Sequence, residues 1–137
     1  MRPLLFACVL AGPALADSGS LPLQFGEHRL QAEFASSQEE RRRGLMERTE
    51  LAESAGMLFR FPELRRQCLW MKNTPLPLSA AFLDEAGRII NIIDLQPRDE
   101  QIKCSSGAAR YAVEAHQGWF ARRGIQAGDR VGGLPRE

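Results

Sequence analysis

The chain has 137 residues with 18 basic and 17 acidic side chains, a formal net charge of +1. So even a balance gives no electrostatic case for nucleic acid or an anionic membrane surface as partner. Two histidines and three cysteines are too few to suggest a dedicated metal site, and no motif calls for a cofactor.

The first 16 residues read as a Sec-type signal peptide. Arg2 supplies a positive start, Leu4 to Leu15 is apolar apart from Gly12 and Pro13, and Ala14-Leu15-Ala16 is a small-x-small cleavage pattern. The chain is therefore expected to be cut after Ala16 and to be periplasmic or secreted. A membrane-spanning helix needs about 20 apolar residues; this run is shorter and nothing later replaces it, so the chain is not expected to span a membrane. A lipid anchor would need a cysteine at the cleavage point, and Cys8 lies inside the apolar run. Cleavage leaves 121 residues, enough for one domain with a real core. It removes only Arg2 among the charged residues, leaving 17 of each sign.

Residues 17–28 are expected as a flexible leader and 29–134 as a single β-rich domain. Leu30, Ala32 and Phe34 alternate with Gln31, Glu33 and Ala35, the period of a half-buried strand. Ser37 followed by Glu40 is a capping box, which predicts a helix from about Gln38 to Glu47. Gly44 inside it implies close packing or a helix end, with Leu45 and Met46 turned inward. Arg41, Arg42 and Arg43 cannot share one helix face and are taken as solvated, with at least one free to lie along the body of the protein.

Gly56 to Phe61 reads as a second strand ended by Pro62, and Gln67 to Asn73 as a third. Ser79 to Leu83 is a fourth. Asp84-Glu85-Ala86-Gly87 is a hairpin turn, with glycine at the left-handed position. Arg88 to Leu95 returns as a fifth strand, its isoleucines buried on both faces. Residues 96–107 are expected as a polar loop, Arg110 to His116 as a sixth strand, and Gly118 to Arg123 as a helical turn or two stopped by Gly124. A last short strand lies near Val131. The class expected is mainly β (α+β): a compact β-sandwich or partly open barrel with two short helices.

Loss of Cys8 with the signal would leave Cys68 and Cys104, 36 positions apart in an oxidising compartment. They are neither a redox C-x-x-C pair nor a zinc knuckle. A structural disulfide is expected, worth about 3–4 kcal/mol in the chain-entropy model; two separate buried thiols are the alternative.

The most distinctive stretch is Trp70-Met71-Lys72-Asn73-Thr74, followed by Pro75 and Pro77. Lys72 is one of only two lysines beside sixteen arginines, a point donor where the chain otherwise uses planar forks. In an extended segment Cys68, Trp70 and Lys72 point one way and Leu69, Met71 and Asn73 the other. A Cys68–Cys104 bond would pin the 96–107 loop over the first face and wall a recess with an aromatic floor and one cation. Such a recess could hold an anionic or sugar-like ligand. Glu114 is the candidate counter-charge, on the opposite face of its strand from Val113; if buried, it needs a partner such as Lys72 or an arginine. The candidate ligand-binding residues are thus Trp70, Lys72, Asn73, Thr74 and Glu114. Each also has a structural reading: Trp70 as core, Lys72 in an ion pair, Asn73-Thr74-Pro75 as a turn.

Arg43-Gly44-Leu45-Met46, Gly56-Met57-Leu58-Phe59, Trp70 to Thr74, Pro77-Leu78, Phe82-Leu83-Asp84 and Gly118-Trp119-Phe120 to Gly128-Asp129 occur in that order. In these blocks the chain resembles domain-of-unknown-function family 192, small secreted or envelope-associated proteins of bacteria and archaea. The resemblance runs from about Leu30 to Val131. It implies a small β-rich fold and no established activity, cofactor or catalytic residue. The function expected is a non-catalytic binding module of the cell envelope for a glycan, a peptide or another protein. A small hydrolase or lyase on envelope polymers is the alternative, using Lys72 with Glu114 or Asp94.

Overall fold

The structure, a computed structural model, describes residues 19–136. The signal-peptide assignment, on residues 1–16, lies outside the described residues. Six strands form one mixed sheet: β1 (Ser20–Phe25), β2 (His28–Ala35), β3 (Ala55–Leu69), β4 (Leu78–Leu83), β5 (Ile89–Leu95) and β6 (Lys103–His116), in the spatial order β1-β2-β3-β6-β4-β5. Two short helices accompany them, α1 (Gln38–Arg43) and α2 (Trp119–Arg122). The sheet does not close into a barrel; single bridges from the 130–132 segment to Gln24 and Arg88 approach closure.

All strand pairs are antiparallel except β2–β3. A parallel pair needs a crossover rather than a tight turn, and residues 36–54 supply it, carrying α1 over one face of the sheet. The expected capping box starts α1: the Ser37 hydroxyl accepts from the Glu40 N–H, and the Glu40 carboxylate accepts from the Ser37 N–H. The helix stops at Gly44, four residues short of the expected end, with φ +48 and no buried residue. The descending segment is tied to β2 by a two-pronged Arg48–Glu33 pair at 2.7–2.8 Å. That hydrogen bond holds the Glu33 carboxyl below the usual range.

Three expectations are corrected. The stretch 17–28 is no leader from residue 20 on: Leu23 and Phe25 are buried and β1 pairs with β2 along its whole length. Pro62 does not end a strand. It sits where the β3–β6 register slips between Arg60 and Arg65, so the expected second and third strands are one long strand with an irregularity, a position a sheet tolerates for proline. The third strand also stops at Leu69 rather than Asn73, and the 96–107 loop yields its last five residues to β6.

β3 pairs with β2 only through Phe59, and β6 pairs with β4 only from Tyr111 onward. Arg65–Leu69 and Lys103–Ala109 therefore extend past the sheet as a two-stranded ribbon. Two strands alone are marginal in water. Cys68 and Cys104 face each other across this ribbon and are disulfide-bonded, Cα–Cα 3.9 Å.

Both faces of the sheet are apolar. One packs Leu30, Leu58, Leu83 and Val113 against Phe25, Trp119 and Phe120. The other holds Phe59, Phe61, Phe82 and Ala112 beneath Leu45 and Met71. β4, between β5 and β6, is buried at all six positions.

Candidate functional site

The Trp70–Thr74 string is a corner. Alternation persists through Met71: Trp70 and Lys72 are exposed, Met71 is inserted into the core. Asn73 breaks it by entering the left-handed region at φ +59, which asparagine tolerates better than most residues. Four backbone bonds fix the corner. The Met71 N–H donates to Asp99 O and the Thr74 N–H to Met71 O. The Arg98 N–H donates to Thr74 O and the Glu47 N–H to Asn73 O. The Thr74 hydroxyl donates to Lys72 O at 3.2 Å. The Lys72 ammonium lies 5.3 Å from the centre of the Trp70 ring.

Between this corner and α1 opens a cleft of about 340 Å³. Leu45, Phe59, Phe61 and Met71 give it apolar walls; Trp70 and Thr74 stand on the corner side; Arg41, Arg42 and Arg43 line the α1 side. Glu114 lines it from the sheet. Of the five candidate ligand-binding residues, Trp70, Thr74 and Glu114 are thus brought together. Lys72 and Asn73 are not among the lining residues.

Glu114 is placed by the register of three strands: it lies opposite Met57 of β3 and Ala80 of β4, on the Phe59 face. Gly56 makes this possible, because a Cβ there would stand 2.1 Å from the Glu114 carbonyl oxygen. The Glu114 side chain is 4% exposed. Among the described residues its carboxyl has no hydrogen bond and no ion pair, so the expected partner, Lys72 or an arginine, is not there. Burial pushes its pKa up to about 8, so it is predominantly protonated at pH 7. A neutral carboxyl can donate one hydrogen bond and accept others.

The three arginines differ. Arg41 donates to the carbonyls of Ser36 and Arg60 and braces α1 against β3. Arg42 pairs with Glu39 at 2.9 Å. The Arg43 guanidinium is exposed and has no hydrogen bond or ion pair among the described residues. The sequence takes each as solvated by default with at least one free to lie along the body of the protein, as Arg41 does; the signal it lacks for the cleft is the parallel crossover that folds α1 back over the sheet. Asp94, the other carboxylate considered, accepts from the Ser79 hydroxyl at 2.8 Å and does not line the cleft. Among the described residues no three His, Cys, Asp or Glu side chains gather as a metal site, and no helix is long and apolar enough to cross a membrane.

Fold and cleft together define a small mixed-sheet protein with a ligand-sized recess between α1 and the corner. The chain belongs to domain-of-unknown-function family 192, described as an uncharacterized ACR, whose model matches residues 22–133. No curated protein matches it. Among solved structures it is similar to a Sinorhizobium meliloti protein described as a candidate transcription regulator. Identity is 36%, over 83% of this chain and 92% of that one, with a TM-score of 0.78. It is also similar to a Novosphingobium aromaticivorans protein of unknown function, at 32% identity over 91% and 93% of the two chains and a TM-score of 0.80.

Proposed function

We propose that this is an exported envelope protein that binds a small ligand, without catalysis, in the cleft between α1 and the Trp70–Thr74 corner. The observation that carries the reading is Glu114. A buried carboxyl with no partner destabilises the free protein, and such groups concentrate where a ligand completes them. The cleft is the right size for a small molecule. Hydrolase or lyase chemistry asks for an acid and a base that converge on one point. Among the described residues Glu114 is the one carboxyl lining the cleft, while Lys72 and Asp94 lie elsewhere, which favours binding. The S. meliloti relative's description raises nucleic acid as a partner. The even charge balance and the concave, mostly apolar site support a small ligand instead.

Screening a fragment mixture by amide chemical-shift perturbation tests the cleft. Binders are expected to shift Leu45, Met71, Thr74 and Glu114 together; hits scattered elsewhere with this set silent would defeat the reading. Export rests on the Arg2 to Ala16 pattern. Fractionation and mass measurement should find a periplasmic or secreted chain beginning at Asp17, and a full-length cytosolic product would remove the envelope assignment.

A further inference from the structure

The cleft lining joins two polar groups and an apolar wall. Arg43 is exposed and without a side-chain partner among the described residues. Leu45, Phe59 and Met71 line the cleft with it. Glu114, on the sheet, is 4% exposed and equally without a partner. Each polar group selects a ligand group by its chemistry. A guanidinium fork matches a carboxylate in two parallel hydrogen bonds. A buried uncharged carboxyl matches a hydroxyl or carbonyl, with which it can exchange a hydrogen bond without burying a charge. The apolar wall favours a flat or short apolar body.

Resting on the cleft reading above, we propose that the ligand is a small organic carboxylate: its carboxylate at Arg43, its apolar body on Leu45, Phe59 and Met71, and an uncharged hydroxyl or carbonyl at Glu114. The arginine side of the cleft disfavours cations. The surroundings of Glu114 are otherwise uncharged. β3 presents Met57 and Phe59 to it and β4 presents Ala80; the corner presents Met71 and Thr74. Of the neighbouring titratable groups, His116 on the same face of β6 is held by Leu51 O at 2.6 Å, and Cys68 is in its disulfide. The charged groups facing the site are therefore Arg41, Arg42 and Arg43. Above about 8 an ionised Glu114 could still accept from a hydroxyl but could no longer donate to a carbonyl, so binding through a carbonyl should weaken as pH rises through that value.

Three matched probes decide the matter: 4-hydroxyphenylacetate, tyramine (an amine for the carboxylate) and phenylacetate (no hydroxyl). Titrations of the whole protein, followed by amide shifts at low salt, should rank 4-hydroxyphenylacetate above tyramine by about tenfold or more. It should also rank above phenylacetate by a smaller factor. Arg43→Gln should erase the first preference and Glu114→Leu the second. If tyramine binds the cleft as well as 4-hydroxyphenylacetate does, the carboxylate assignment is overturned while the cleft reading survives. If all three leave the cleft amides unmoved although fragments shift them, the ligand class is wrong. If fragments too leave them unmoved, both fail.

Discussion

The two faces of the sheet are both apolar and are closed in opposite ways. α2 has four residues, two of them essentially fully buried. Trp119, Phe120 and Phe25 meet one another edge to face with centroids 5.3–5.6 Å apart. The indole N–H donates to the Ser54 hydroxyl at 3.2 Å, and the Arg123 guanidinium lies 4.3 Å from the centre of the Trp119 ring. The indole N–H and the Arg123 guanidinium of that plug are both engaged. α1, over the other face, has six residues and buries none; it is held by its cap, by Arg41 and by the chain that follows it. Beneath it lie a cleft and an unpartnered carboxyl. One face is built for stability, and the other gives up stability at one point. Consistency across levels is the usual state of a folded sequence, and a local violation marks a site.

The comparison is broken most directly at the plug. Trp119→Ala should cost about 3–5 kcal/mol, since the side chain is completely buried and the aromatic cluster cannot collapse into the gap. Urea denaturation measures it. A loss below about 1 kcal/mol would mean that the α2 face is not the one carrying stability.

Next in size is Gly56→Ala. Its Cβ would meet backbone, which cannot swing aside as a side-chain tip can. Separating β3 from β6 at that point should cost about 3 kcal/mol and displace Glu114. The same melts report the cost. The amide shift of Glu114 reports the displacement, and a neutral outcome would contradict the strand spacing that positions the cleft.

Glu114→Gln runs the other way and sharpens the contrast. The folded carboxyl titrates near 8 and the unfolded one near 4.5. Between those values the folded state holds the extra proton, so stability is full below 4.5, falls as pH rises towards 8, and is level beyond. Glutamine keeps the size and removes the titration. It should stabilise the protein on the order of 2–3 kcal/mol at pH 7 and hardly at all at pH 4. Melts of both proteins across pH 4–9 give the difference curve. A flat curve would show that Glu114 finds a partner in solution.

The contrast also explains what was legible beforehand. Trp119-Phe120 before Gly124, the Asp84–Gly87 turn and the Ser37–Glu40 cap are local patterns with local causes, and each has its expected place; the Cys68–Cys104 bond, 36 positions apart, was legible from cysteine count instead. β1 escaped because Pro22 interrupts Leu21, Leu23 and Phe25, although that alternation and Gly26 were there to be seen. The third strand was overextended because its apolar run continues through Met71, while the backbone turns to bury that residue at a corner. Glu114 was visible as a candidate from its strand alternation. The arginines were not, since no local pattern records that β2 and β3 run parallel and that their crossover carries α1 over the cleft.

The smallest effect belongs to the residue that looked most informative. Trp70 is 42% exposed and touches Lys72 through its ring face, so Trp70→Ala should cost only about 0.5–1 kcal/mol, the worth of an exposed cation–π contact with a little packing. Its neighbour behaves differently: Met71→Ala empties a core position and should cost about 2–5 kcal/mol. The pair separates two roles inside five consecutive residues. If Trp70→Ala melts near the wild type yet weakens fragment binding in the cleft, the indole is there for the ligand and Met71 holds it in place. If it unfolds the protein as Met71→Ala does, the string serves the fold alone, and the cleft must be defended on Glu114 and the arginines of α1.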